Sequence, residues 1–233
     1  MACLVGGFFA NAPLEIYLRA DLTTDTVPRI TRLEPGDRAT LDGTTALVDH
    51  TSDDIRQVEL LRGAAFFDVR PDGRPFVVTS GELTVEVLGT SFEVGAFEDA
   101  GIVTVAEGAV RVTVGSQSWR LNPGDQLIWS VDTGVKRDHV GVAHVASWRD
   151  DVLVADGLSF AQIAQILDRR IPGRVVLMDD ALGQQTIVGP FDLSDAQGTL
   201  NLLAKLTGAK VTSVPNLAYF VRRYFFSKKF LKI

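Results

Sequence analysis

From Ile30 to Val145 the chain keeps one pattern: short runs rich in Val, Thr, Phe and Leu, broken by turn residues, with no helical period for over a hundred residues. Alternating apolar and polar positions are what a half-buried strand requires. The clearest runs are Val58 to Leu61, Ala65 to Val69, Phe76 to Thr79, Leu83 to Leu88, Ser91 to Val94, Ile102 to Val105 and Ala109 to Val114. Between them lie Pro71-Asp72-Gly73, Ser80-Gly81, Gly89, residues 98–101, Glu107-Gly108 and Gly115-Ser116. These supply the preset or positive φ of tight turns. Strands at this spacing predict an all-β domain, a sandwich or a coiled β-stack.

Near Trp148 the period changes. Ser159 and Gln162 are spaced as a capping box, and Phe160, Ile163, Ala164 and Leu167 then fall on one helical face. Ser194 and Gln197 repeat the box before a helix with Leu200, Leu203 and Ala204 on one stripe, stopped at Gly208. Apolar strands flank both helices: Val152 to Val154, Arg174 to Met178, Gln185 to Phe191, Ala209 to Val214, and a last one at Leu217 to Val221. The order predicts a small α+β module of two β-α-β halves. The expected division is therefore an apolar segment over 1–24, an all-β domain over 25–146, an α+β module over 147–223 and a tail over 224–233.

The first segment has two readings. Residues 1–18 contain no Lys or Arg, and Ala2 to Leu14 is mostly apolar. It is too short for a membrane span and lacks a signal peptide's positive flank. It is either a ragged soluble start or the outer end of a membrane helix. The single cysteine, Cys3, cannot form an internal disulfide.

Of 233 residues, 46% are hydrophobic and 22% charged, so a largely disordered chain is ruled out. A net charge of −6 argues against sequence-blind nucleic-acid binding, which needs a basic footprint. The dense basic cluster, Arg222, Arg223, Lys228, Lys229 and Lys232, sits at the C-terminus, as a solvated tail does.

Catalytic patterns are missing from the sequence. His139 and His144 are five apart, which serves one face of neither a helix nor a strand. There is no H-E-x-x-H, C-x-x-C, G-x-S-x-G, P-loop or G-x-G-x-x-G. The pairs Asp53-Asp54, Asp150-Asp151 and Asp179-Asp180 read as solvated turns. Asn122-Pro123-Gly124-Asp125 looks like a cupin turn, but the His and Glu ligands of a cupin enzyme do not accompany it. The expectation is a protein that is not an enzyme, with no metal and no cofactor.

Four segments, Val58 to Val69, Arg74 to Val78, Val87 to Val94 and Val105 to Val110, resemble the FecR family in order and spacing. Thr40 to Thr44 resembles that family's L-x-D-G-S turn more weakly. The strongest piece is Leu88-Gly89-Thr90-Ser91-Phe92, where Gly89 is expected at a φ closed to other residues and Phe92 in the core. Gly108 is expected as a further structural turn. Gly189-Pro190-Phe191-Asp192-Leu193-Ser194 with Leu200 to Leu206 fits the second half of the secretin/TonB short N-terminal fold, which residues 147–223 resemble. The resemblance implies the periplasmic region of a bacterial inner-membrane regulator of cell-surface signalling. Such a region binds the signalling domain of a TonB-dependent outer-membrane transducer and relays the signal to an extracytoplasmic-function sigma factor. The implied process is iron or nutrient uptake. The cytoplasmic segment that handles the sigma factor is expected outside this sequence, and the apolar start is then the outer end of the membrane helix. The other readings are a cupin-like barrel that binds a small ligand or metal, and a structural envelope-binding domain.

The partner is expected on the α+β module. Leu217, Ala218, Tyr219, Phe220 and Val221 would be an unpaired edge strand that accepts a partner strand. The start of the module and its first helix, with Val152, Val154, Gln162 and Gln165, would flank it.

Overall fold

A computed structural model describes residues 14–33, 36–97 and 100–223. The apolar start before residue 14 with Cys3, residues 34–35 and 98–99, and the tail 224–233 lie outside the described residues. The chain divides into two compact units, one ending at Asp150 and the other running on from Asp151. The expected class holds: a large curled β-sheet, then small sheets with short helices.

The first unit opens with a one-and-a-half-turn helix, α1 (Leu14–Arg19). Its strands are β1 (Leu22–Thr23), β2 (Arg29–Leu33), β3 (Asp37–Leu41), β4 (Ala46–Asp49), β5 (Arg56–Asp68), β6 (Phe76–Ser80), β7 (Leu83–Val87), β8 (Ser91–Ala96), β9 (Ala100–Glu107), β10 (Val110–Val114), β11 (Gln117–Leu121), β12 (Asp125–Ser130) and β13 (Gly134–His139). The runs read as two strands, Val58 to Leu61 and Ala65 to Val69, are one 13-residue strand, β5. Its first half pairs with β4 and, in parallel, with β6; its second half pairs with β3 and β8. One sheet path therefore runs β11-β10-β7-β6-β5-β4-β1 and the other β2-β3-β5-β8-β9-β12-β13. Parallel neighbours need a crossover of about a dozen residues or more. Here the second half of β5 and the loop after it form the crossover, so no helix is required.

Gly63 makes this bend. Its φ is +91°, and a Cβ there would lie 2.6 Å from Thr45 Cα. The register of β4 against β5 slips at this point, between Ala46 and Leu47. Thr45 fills the gap with its side chain. Its hydroxyl accepts from Ala64 N at 3.2 Å and donates to Ala64 O at 3.1 Å. The Ala64 N–H is thereby satisfied by a side chain beside the bulge, while Ala64 O also accepts from Asp42 N at 2.8 Å.

Both sheet halves close on one core. Phe67 lies 5.4 Å from Phe92 and 5.6 Å from Phe76, ring centre to ring centre, among buried Leu60, Val78, Val85, Val94, Val103 and Leu127. Phe66, on the opposite face of β5, is also buried. It is covered by the segment after β13, which contains two short 3-10 turns, Val142–His144 and Ser147–Asp150. The Arg149 guanidinium sits 3.6 Å over the Phe66 ring. Glu93 on β8 accepts from Trp148 Nε1 at 2.7 Å and from Ala146 N at 3.2 Å.

The second unit contains β14 (Val152–Ser159), α2 (Phe160–Leu167), β15 (Arg174–Leu177), α3 (Asp180–Gly183), β16 (Thr186–Asp192), α4 (Ala196–Leu206), β17 (Ala209–Val214) and β18 (Ala218–Arg223). The β-α-β order recurs, but β14 pairs antiparallel with β16 in a ribbon, while β15, β18 and β17 form a separate sheet. Helix α2 contacts β14 and β15, and α4 contacts β16 and β17, so the helices join the two sheets. The Ser159–Gln162 capping box is present in both directions. The second box is not. Asp195 caps α4 by accepting from Gly198 N, while the Ser194 hydroxyl turns back to Asp192. Asp outcompetes Ser here because its carboxylate is a charged acceptor at a helix N-terminus. The module also gains α3, which the sequence did not signal, capped by Asp179.

Gly89 corrects a further expectation. It is absent from the residues at positive φ. Its necessity is close approach: a Cβ would stand 2.9 Å from Pro71 Cδ and 3.1 Å from Pro71 N. Gly108 does take a positive φ, +80°, with a Cβ there 2.9 Å from Gly89 O.

Two outcomes follow from this packing. Phe92→Ala, at a fully buried site, lowers unfolding free energy in urea by about 3–5 kcal/mol. Gly89→Ala destabilises the chain, and Pro71→Ala added to it recovers part of the loss. A double-mutant cycle with zero coupling would contradict the close-approach account.

Candidate partner-binding surface

The expected edge at Leu217 to Val221 is not an edge. Strand β18 is the middle of its sheet, parallel to β15 on one side and antiparallel to β17 on the other. Ala218, Tyr219 and Val221 are buried, Phe220 is half-buried, and Leu217 lies in the loop before the strand. A strand paired on both sides has no main-chain groups left to offer. The sequence misled because the last strand of a chain segment need not be the last strand of its sheet.

The outer strands of that sheet are β15 and β17. On β15 the Val175 N–H donates to the Asp168 carboxylate at 2.6 Å, and the other carboxylate oxygen is 3.6 Å from Arg174 Nε. Asp168 thus occupies a position where a partner strand would have to bond.

The ribbon of β14 and β16 offers a different edge, and proline decides which side is open. Val154 is the register partner of Pro190. Proline has no N–H, so this pair must be a non-hydrogen-bonded one, with the main-chain groups of both residues pointing outward. The bond from Leu193 N to Asp151 O at 2.7 Å fits the same phase, with odd-numbered residues of β14 bonded inward. The outer edge of β14 therefore presents Val152, Val154 and Asp156. The outer edge of β16 presents Val188, Pro190 and Asp192. Pro190 removes a donor from the latter, which protects it against pairing. Among the described residues, β14 pairs with β16 alone.

The side chains follow the alternation. Leu153 and Ala155 are buried, whereas Val152 and Val154 are half-buried on the opposite face. Next in the chain, α2 buries Phe160, Ile163, Ala164 and Leu167 and exposes Gln162 and Gln165. The Gln162 side chain is already used, accepting from Ser159 N at 2.8 Å. Four of the sequence-derived residues, Val152, Val154, Gln162 and Gln165, thus belong to one continuous strand-helix segment, while the β18 group stands apart in the other sheet. Pro190 lies within the expected strand Gln185 to Phe191, and a proline inside a strand pattern is itself the signal of a sheet edge.

The rim of this edge is acidic. Asp151, Asp156 and Asp192 are all exposed. Asp151 holds Arg170 at 2.7 Å. Hydrogen bonds from the Ser194 hydroxyl and backbone N–H hold the Asp192 carboxyl below its usual range. Elsewhere, His139 approaches Asp125 at 3.6 Å on the surface of the first unit. Among the described residues no three His, Cys, Asp or Glu gather into a metal-binding group. No helix among them is long and apolar enough to cross a membrane.

Comparison with known proteins adds two findings. Residues 22–111 match the family described as "FecR protein". They span β1 to the first two residues of β10, including the whole of β5. The fold also matches two crystal structures described as a "putative anti-sigma factor" from Parabacteroides distasonis ATCC 8503. One superposes with a TM-score of 0.78 at 25% identity, covering 87% of this chain and 98% of that chain. The other gives 0.76 at 26% identity with the same coverage. Coverage of 87% draws residues from both units. A search of curated proteins returned no match. Residues 22–111 are thus similar to the FecR protein family, and the matching crystal structures are described as an anti-sigma factor.

Proposed function

We propose that this chain is the sensing region of a FecR-type anti-sigma regulator, placed in the periplasm, and that its second unit receives the signalling domain of a TonB-dependent outer-membrane transducer. The FecR domain match and the likeness to a structure described as an anti-sigma factor support the class. The relay would run to an extracytoplasmic-function sigma factor through a cytoplasmic segment on the other side of the inner membrane. The arrangement of two helices between a two-stranded and a three-stranded sheet supports reading 147–223 as a secretin/TonB short N-terminal-like module.

The observation that carries the docking site is the pairing of Val154 with Pro190, which leaves β14 its outward donors and takes one from the middle of the β16 edge. A transducer strand added to β14 would take its main-chain bonds from Val152, Val154 and Asp156. The exposed Gln165 of α2 would flank it. Main-chain bonds supply affinity in this mode, and alternate side chains supply specificity.

Val154→Pro tests the site in the full chain. It deletes an outward N–H and no ribbon bond, so thermal stability changes little while affinity for the purified transducer domain falls about tenfold or more. Ala155→Pro, which deletes an inward bond, lowers the melting temperature. Unchanged affinity in Val154→Pro at unchanged fold would place the partner elsewhere.

A further inference from the structure

The first unit carries a second surface with the properties of a site. A cleft of about 540 Å³ lies across the ends of β7, β10 and β11, lined among others by Glu86, Leu88, Thr90, Arg111, Ser118 and Arg120. That volume is within the range of ligand sites. Across its floor, three register partners form a row: Glu86 on β7, Arg111 on β10 and Arg120 on β11. Glu86 and Arg111 form an exposed ion pair at 3.4 Å. Arg120 faces Arg111 directly.

Hairpin geometry sharpens this contact. Strands β10 and β11 are joined by the two-residue turn Gly115-Ser116, so Val114 and Gln117 close the hairpin as a hydrogen-bonded pair. Counting from there, Arg111 and Arg120 are a non-hydrogen-bonded pair, the closer kind, in which like charges are destabilising. The same count turns the main-chain N–H and C=O of Ser118 and Arg120 outward. Strand β11 is the end of its sheet path, with β10 as its one partner among the described residues. The end strand of the other path, β13, guards itself with Lys136, Arg137 and Asp138, whereas β11 carries one charge, Arg120.

The row thus reads acid, base, base and then an open strand position. An acid at that position would complete two ion pairs. A second copy of this chain is a poor occupant, because β11 centred on β11 would set Arg120 against Arg120. We propose that the β7–β10–β11 cleft binds an extended acidic peptide segment of a partner protein, which adds a strand to β11 and seats a carboxylate on Arg120. This surface is independent of the β14 edge.

Titration of the full chain with a labelled, end-blocked heptapeptide, Thr-Val-Thr-Glu-Thr-Val-Thr, tests the proposal. Replacing its Glu by Gln weakens binding about tenfold or more. Arg120→Glu weakens the Glu peptide by a like factor and reverses the preference toward a Lys-centred peptide. Ser118→Pro, which removes an outward N–H but no ladder bond, weakens binding without lowering the melting temperature. Absence of binding, equal binding of the Glu and Gln peptides, or displacement by free succinate at the peptide's own concentration would each overturn it. So would a dimer in sedimentation that Arg120→Glu dissolves.

Discussion

One strand changing sheets at Gly63 is the constraint on which the first unit depends. Strand β5 is paired on both sides along both halves, and the two halves belong to different sheet paths. A β-branched residue at a φ of +91° would be strained, and any Cβ would enter Thr45. Without the bend, β6 could not lie parallel beside the start of β5, because no other crossover is available. The same bend lets Phe67 meet Phe76 of one path and Phe92 of the other. The fold is thus organised by one backbone position, while burial supplies the bulk of the stabilisation.

The start of β5 is held by charge. Arg56 is fully buried, with Nη1 3.1 Å from the Asp37 carboxylate and 3.0 Å from Arg70 O, and Nη2 3.1 Å from Asp72. Its Nη2 also donates to Arg74 O. Hydrogen bonds from the Arg74 backbone and side chain hold the exposed Asp72 carboxyl below its usual range. The cluster ties β3, β5 and the loop into β6 together where the parallel pair begins. A buried ion pair is weak support for net stability, but removing one partner leaves an uncompensated buried charge. Arg56 therefore fixes which loop returns to which strand more than it adds to the total.

Much of this was legible in the sequence for physical reasons. Period-two runs with turn residues between them gave the β domain, because alternation is forced when one face is buried. The Ser159–Gln162 box gave the start of α2, because its chemistry is local. Strand order was not legible: the middle position of β18 depends on pairings between residues about 40 apart, such as Val175 with Tyr219. Gly89 was read correctly as a glycine site and for the wrong reason, since Pro71 lies 18 positions away and no local pattern announces it. Asp37 and Arg56 carry no sequence pattern that pairs them, and only the fold brings them together in the interior.

The account's central claim is that a partner strand adds to β14 by its outward groups alone. Amide hydrogen exchange, read residue by residue in the full chain with and without the transducer signalling domain, tests this most directly. In the free chain Leu153 and Ala155 exchange slowly and Val152, Val154 and Asp156 quickly, because alternate amides point to opposite sides of the strand. On complex formation the three fast amides become protected. Protection that appears only in residues 25–146, or that spares Val152, Val154 and Asp156, contradicts the claim.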